Sequence, residues 1–241
     1  MGRYCLFLLS CRGEEMDNTI IRINGISKHF GKQQVLDKLT LDVEKNTMTS
    51  ITGASGSGKT TLLNIIGTLE KADEGKVMVD GSDLTGFDRK AVCEYRNRMI
   101  GFVFQAFYLE PAFDVYRNIE VPLLIRNDKD KKDHKELITK ILSEVGLESK
   151  IHAKVHELSG GEQQRVCIAR ALVGSPKILL CDEPCGNLDS ANSRNIIRLL
   201  REQTRRDTTV IMVTHSREDA ECSDRIVSLS DGRIVDDKDL R

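Results

Sequence analysis

One eight-residue segment constrains this chain more than any other. Gly53-Ala54-Ser55-Gly56-Ser57-Gly58-Lys59-Thr60 matches the pattern GxxxxGK[ST], after a β-branched run at residues 48–52 and before an apolar run at residues 62–66. This order predicts a strand, a phosphate-binding loop and a helix. Glycines let the backbone curl so that successive N–H groups and the helix N-terminus face an anion. We expect Lys59 to reach the terminal phosphates of a nucleotide, Thr60 to ligate Mg²⁺ and Thr61 to complete the binding surface.

Composition limits the range of folds and partners. The 241 residues are 39% hydrophobic, enough to bury one large core, so we expect one α/β domain with a smaller insert. Lys and Arg number 36 against 37 Asp and Glu, which predicts no basic face and no nucleic-acid partner. Seven scattered cysteines without a pair of CxxC motifs indicate free thiols.

The first 16 residues are expected to form a disordered extension, with Met16 as the more natural first residue. Their apolar run, residues 4–9, is too short for the hydrophobic region of a signal peptide. No other stretch approaches the roughly 20 apolar residues of a membrane span.

The remaining chain, residues 17–241, is predicted to be one domain of the α/β class. β-branched runs at residues 20–23, 35–43, 47–52 and 76–79 predict an N-terminal antiparallel β layer. Helical periodicity predicts a helical subdomain insert at about residues 87–170, with a solvated polar loop at residues 126–134. Buried strands that alternate with helices after residue 158 predict a mostly parallel sheet. The fold class is therefore a phosphate-loop core with these two additions.

A second motif ends an apolar strand that is predicted at residues 178–181. Asp182 and Glu183 follow it directly, and an unpaired charge at the end of a buried strand is costly. A functional interpretation places Asp182 on Mg²⁺ and makes Glu183 the residue that orients and deprotonates an attacking water. Taken alone, an adjacent Asp-Glu pair at a strand end is more often a capping or surface feature.

A third motif is Leu158-Ser159-Gly160-Gly161-Glu162. Ser159 and Glu162 predict a capping box for a helix at residues 163–173, which each glycine weakens by about 1 kcal/mol. That loss favours the close approach of another group, and the N–H groups of a helix end suit a terminal phosphate. Because the chain has its own phosphate loop, the expected ligand is ATP held by a second copy, in a two-fold dimer.

In this order the phosphate loop, LSGGE, the strand with its acid pair and a later histidine resemble the ABC ATPase family over about residues 20–235. The resemblance implies a catalytic site of Lys59, Glu183 and His215 with ATP and Mg²⁺ as cofactors. It also implies that Gln105 senses Mg²⁺ and a membrane partner, Asp189 links two sites, and Phe30 stacks on adenine. The partner would be an integral membrane permease, with this chain at the cytoplasmic face of the cell membrane.

Three segments are similar to the branch of that family for lipoprotein release, macrolide export and antimicrobial-peptide transport: residues 100–105, 121–124 and 183–190. Cys185 stands where this branch usually has Thr, and Phe30 where it usually has Tyr. If the Cys185 thiol is reachable, we expect a bulky thiol reagent to inhibit the protein.

These observations lead to an ATPase subunit that drives a separate permease, for export or extraction of a lipophilic or peptide substrate. An alternative is an ABC ATPase that moves no substrate and signals through a membrane partner to cell-wall enzymes. The sequence does not separate the two. A soluble ABC protein acting on DNA or ribosomes would usually carry a tandem second ATPase or a long coiled-coil insert, and the sequence shows neither.

Overall fold

The structure is a computed structural model that describes residues 18–126 and 131–241. The predicted extension at residues 1–16 lies outside the described residues, and so do residues 127–130 of the predicted polar loop. None of the helices in the described ranges combines the length and hydrophobicity that crossing a bilayer requires.

Strands and helices alternate along most of these ranges. The strands are β1 (Thr19–Phe30), β2 (Gln33–Glu44), β3 (Met48–Thr52), β4 (Glu74–Val79), β5 (Ser82–Asp83), β6 (Ile100–Val103), β7 (Ile178–Asp182), β8 (Thr209–Val213), β9 (Arg225–Ser230) and β10 (Arg233–Asp239). The helices are α1 (Lys59–Ile66), α2 (Arg89–Met99), α3 (Val115–Arg126), α4 (Lys131–Glu144), α5 (Gly160–Leu172), α6 (Ser190–Thr204) and α7 (Arg217–Ala220).

The strands form two sheets. The first is antiparallel, with the order β2-β1-β4-β5, and the second has the order β10-β9-β3-β8-β7-β6. In the second sheet every pair except β10 with β9 is parallel. The predicted fold class, a mostly parallel sheet with an N-terminal antiparallel layer and helices, is confirmed.

Alternation along the parallel strands divides the core into two layers. Successive side chains of a strand point to opposite faces. On β7, Ile178 and Leu180 join a cluster with α1 and the antiparallel sheet, whereas Leu179 and Cys181 join a cluster with α3, α4, α5 and α6. Both faces of the sheet are therefore covered, and its polar groups emerge at the strand ends.

The range predicted as a helical insert, residues 87–170, also contains a strand, and residues 131–134 of the predicted polar loop form the start of α4. Residues 100–103 form β6, which pairs in parallel with β7 from Ile100 opposite Ile178 to Val103 opposite Cys181. The sequence does not indicate this strand, because four residues give too short an apolar run to stand out between two helical patterns. The helices on either side of β6 are α2 and α3.

Candidate active site

The phosphate loop joins β3, at the centre of the parallel sheet, to α1. Its fold depends on glycine at Gly58, which precedes α1 with φ 101°. A Cβ atom at Gly58 would lie 2.7 Å from both Leu36 Cδ2 and Val35 O, so any larger residue would collide with β2. The loop is closed internally by the Ser57 N–H, which donates to Ala54 O over 3.2 Å.

Two polar side chains of this loop indicate an anion site. Lys59 is 8% exposed, and its Nζ donates to the carbonyls of Gly53 (2.9 Å) and Ala54 (2.8 Å), neither of which neutralises its charge. Within the described residues the buried Ser57 Oγ has no hydrogen-bond partner. A buried cation and an unpartnered hydroxyl both favour a ligand with several negative oxygens, such as a nucleotide phosphate chain.

Thr60 and Asp182 form a pair of hard oxygen ligands. The Thr60 hydroxyl, in the first turn of α1, donates to Asp182 Oδ1 at the end of β7 over 3.1 Å. Burial raises the pKa of Asp182, and the hydrogen bond from Thr60 opposes that shift. A divalent cation beside the carboxylate would stabilise its charged form. Among the described residues no cluster of three or more His, Cys, Asp and Glu could hold a metal by itself. This donor set fits Mg²⁺, which uses few protein ligands and takes the rest from water and phosphate.

Glu183 and His215 form the second functional pair. His215 Nδ1 lies 2.8 Å from Glu183 Oε2, with the carboxylate side chain 16% exposed and the imidazole 70% exposed. Glu183 adopts φ 49°, a region that residues other than glycine seldom occupy, and its N–H donates to Val213 O of β8 over 3.0 Å. The bend of the backbone after β7 thus brings the carboxylate against His215.

These elements surround an open cleft of about 480 Å³. The predicted residues that line it are Phe30, Gly53, Ser55, Gly56, Gly58, Lys59, Thr60, Thr61, Gln105, Asp182, Glu183 and His215. Gln33 and Val35 also line it, although the sequence analysis did not select them. Their position follows from the β1–β2 pairing, in which Gln33 lies opposite Phe30, and no residue-type signal marks them.

Six predicted residues do not line this cleft. Ala54 and Ser57 belong to the loop beside it, whereas Ser159, Gly160, Gly161 and Asp189 lie on other elements. Ser159 Oγ accepts from the Glu162 N–H (3.3 Å) while Glu162 Oε2 accepts from the Ser159 N–H (2.8 Å), which is the predicted capping box. The helix that it caps, α5, begins at Gly160 and not at residue 163. Asp189 caps α6 instead of reaching the cleft of its own chain.

The thiol of Cys185 does not meet the condition for the predicted reaction with a bulky reagent. Cys185 is 9% exposed, and burial raises the pKa of its thiol to about 12. Its Sγ donates to Ser193 O over 3.8 Å. A neutral, buried thiol is a poor nucleophile, so the condition is not met and no inhibition through Cys185 is expected.

A phosphate loop after a central strand, with a hydroxyl and carboxylate pair and a carboxylate and imidazole pair in one cleft, defines a P-loop ATPase. The chain belongs to the ABC transporter family, whose sequence profile matches residues 36–186. It binds and hydrolyses ATP as the ATPase subunit of such a transporter.

Similar proteins include the lipoprotein-releasing system ATP-binding protein LolD of Aquifex aeolicus (strain VF5), which is 44% identical over 90% of this chain and 96% of the relative. The macrolide export ATP-binding/permease protein MacB of Escherichia coli is 39% identical over 90% of this chain but only 34% of that longer protein. A solved dimeric ATP-binding cassette in a post-hydrolysis state with ADP and Pi has a TM-score of 0.84 and 36% identity, covering 92% of this chain and 99% of that one.

Proposed function

We propose that this chain binds a separate integral membrane permease at the cytoplasmic face of the cell membrane and drives it by ATP-dependent dimerisation. The transported substrate is a lipophilic or peptide molecule that is exported or extracted from the membrane. The similarity to a lipoprotein-releasing ATP-binding protein along nearly its whole length supports this substrate class. A macrolide exporter that carries a similar segment and a permease in one polypeptide supports the link to a permease.

Within one subunit the cleft residues divide the chemistry. Lys59 holds the terminal phosphates, and Phe30 at 49% exposure offers a ring face for the adenine. Thr60, Asp182 and Gln105 would hold Mg²⁺, which neutralises charge on the phosphate oxygens. Glu183 accepts the proton of the attacking water, and the hydrogen bond with His215 keeps its carboxylate in position.

The observation that carries the dimer is the location of the Ser159 segment. The N-terminus of α5, with Ser159 and Gly160 exposed, does not line the cleft of its own chain. A helix N-terminus with free N–H groups suits an anion. A second copy, related by two-fold symmetry, would bring Ser159, Gly160 and Gly161 to the terminal phosphate of the first, and Asp189 next to the junction.

Dimerisation of Glu183→Gln in ATP tests this function. Removing the proton acceptor should lower ATP turnover by about 100-fold or more while ATP binding persists, so that the closed dimer accumulates. Light scattering at micromolar protein should then give twice the monomer mass with ATP and the monomer mass without it.

The matched control is Glu183→Gln with Ser159→Arg, which keeps the phosphate loop and obstructs the helix end. It should bind ATP and remain monomeric. If Glu183→Gln binds ATP but stays monomeric at saturating nucleotide, the dimeric mechanism is incorrect.

A further inference from the structure

The two glycines that follow Ser159 have different surroundings. Gly160 is exposed, and a Cβ atom there would meet only Leu188 Cδ2, at an ordinary 3.9 Å. Gly161 is buried, and a Cβ atom there would lie 2.6 Å from Asn192 Oδ1 and 2.8 Å from Asn192 Cγ. The second glycine is therefore required by a contact inside the same chain, between the first turn of α5 and the first turn of α6.

Asn192 is not free to move away from Gly161. Its Nδ2 donates to Asp189 Oδ2 over 2.8 Å, and its backbone N–H donates to Asp189 Oδ1 over 2.9 Å. Asp189 Oδ1 also accepts from the Ala191 N–H at 3.0 Å. The carboxylate of Asp189 thus fixes the amide of Asn192, and the other side of that amide packs against Gly161. Displacing the amide would break a charge-assisted hydrogen bond.

The contact joins two segments that otherwise belong to different motifs. Asp189 precedes α6 and Ser159 precedes α5, and the two caps are separated by 30 positions of sequence. A direct series of contacts from Gly161 through Asn192 to Asp189 connects the two helix caps. A side chain of any size at position 161 would displace Asn192 or one of the two helix ends.

We propose that Asn192 is a positioning residue that sets the place of the Ser159 segment relative to Asp189. It acts through Gly161 and touches no nucleotide. The inference rests on the proposed function, in which the Ser159 segment completes the site of a second copy. It adds that the geometry of this segment is set by Asn192 together with Asp189, so that the two caps move as one unit.

A size-compensation experiment separates this role from a direct contact between Gly161 and the nucleotide of the other copy. Gly161→Ala introduces a methyl group against Asn192 and should lower kcat about tenfold or more, with KM for ATP changed by less than about threefold because the phosphate loop is untouched. Asn192→Ala removes the obstacle and should lower kcat only a few-fold. The double variant should return to within about threefold of Asn192→Ala alone. A double variant as impaired as Gly161→Ala would overturn the proposal.

Asn192→Asp keeps the size of the side chain but replaces the donor to Asp189 with a second carboxylate. Assayed below its unfolding midpoint, it should lower kcat with KM for ATP changed by less than about threefold. This variant keeps the proposal testable if Gly161→Ala fails to fold. Wild-type kcat in both Asn192→Asp and Asn192→Ala would contradict the positioning role. Asn195→Ala is the matched control, since Asn195 is exposed on the same helix and its Oδ1 accepts only from Arg198, at 3.5 Å.

The experiments distinguish a failure of the positioning role of Asn192 from a failure of the proposed function. If Glu183→Gln dimerises in ATP while the double variant is not rescued, only the role of Asn192 is wrong. If Glu183→Gln binds ATP and does not dimerise, the proposed function itself fails.

Discussion

At the scale of single residues, the backbone of Glu183 carries strain that the surrounding strands maintain. Holding a non-glycine residue such as Glu183 at φ 49° raises the free energy of the folded protein by about 1–3 kcal/mol relative to an ordinary backbone conformation. The hydrogen bond from its N–H to Val213 O of β8 holds the bend, and His215 holds the carboxylate. This backbone conformation places the Glu183 side chain at the cleft, beyond the end of β7.

The thiols give a prediction at this scale. At about pH 8 a thiol reagent should label the exposed Cys93 and Cys222 of the native protein and leave Cys185 unmodified. The thiolate is the reactive form, and burial raises the pKa of the Cys185 thiol to about 12, so the thiol stays protonated at that pH. Peptide mass spectrometry after timed labelling measures this, with labelling in urea as the control that all sites can react. Equal native labelling of Cys185 and Cys93 would refute the burial argument.

Residue identities in the phosphate loop could be predicted because the motif is contiguous and its chemistry is local. The environment of Cys185 could not be predicted, since its burial depends on how α6 packs against the sheet. The carbonyl that accepts from its thiol, Ser193 O, is eight residues further along the chain. The contact of Gly161 with Asn192 was also missed. Two glycines in LSGGE look equivalent in the sequence, and only the neighbouring helix distinguishes them.

At the scale of elements, the contact between β6 and α5 determines how closely the helical region approaches the sheet. A Cβ atom at Gly101 of β6 would lie 2.6 Å from Ala171 O of α5, and 3.0 Å from Leu179 Cδ1. Backbone cannot yield as a side-chain end can, so α5 would have to move. The short strand that the sequence analysis missed is therefore the element against which α5 is seated.

Gly101→Ala should lower the free energy of unfolding by about 1–3 kcal/mol, the usual cost of overpacking. Urea denaturation followed by circular dichroism measures it. Gly86→Ala is the matched control, because a Cβ atom there meets nothing within 4 Å, and its change should stay within about 0.5 kcal/mol. Equal destabilisation by the two substitutions would show that the contact with Ala171 O is unimportant.

Periodicity explains why the architecture was predictable at this scale and one strand was not. The buried strands at residues 178–182 and 209–213 are separated by α6, an amphipathic helix of 15 residues, and such a pattern identifies a parallel sheet. β6 has only four residues, one of them glycine, and the sequence on either side of it gives no sign that a helical pattern has changed to a strand pattern. Its pairing with β7 is a non-local property of the fold.

At the scale of the whole molecule, Asp80 connects the two sheets electrostatically. It follows β4 of the antiparallel sheet and accepts from Lys177 Nζ over 2.7 Å, and Lys177 immediately precedes β7 of the parallel sheet. Lys45, which follows β2, lies 3.5 Å from the other carboxylate oxygen. The hydrogen bond from Lys177 holds the pKa of Asp80 below its ordinary value.

This shift predicts a pH dependence of stability with a definite sign. Because the pKa of Asp80 is lower in the folded than in the unfolded protein, its contribution is present above the ordinary Asp pKa near 4 and is lost as pH falls through the folded value. Urea unfolding at about pH 7 and about pH 3 should therefore show a smaller acid loss for Asp80→Asn than for wild type, by less than about 1 kcal/mol because the pair is partly exposed. Lys177→Met should reduce the acid loss similarly. An unchanged acid loss in both variants would mean that other carboxylates dominate.

The central position of β3 has a consequence for the newly made protein. β3 carries the phosphate loop, yet its register partners lie far along the chain: Met48 aligns with Val210 and Thr49 with Arg225. The β1–β2 hairpin can close early, whereas β3 must wait for roughly 160 more residues, about ten to thirty seconds at cellular rates of translation. During that interval both edges of β3 lack the strands with which they pair in the folded protein. The strand that leads into the phosphate loop is therefore fixed between its neighbours only after β8 and β9 have been synthesised.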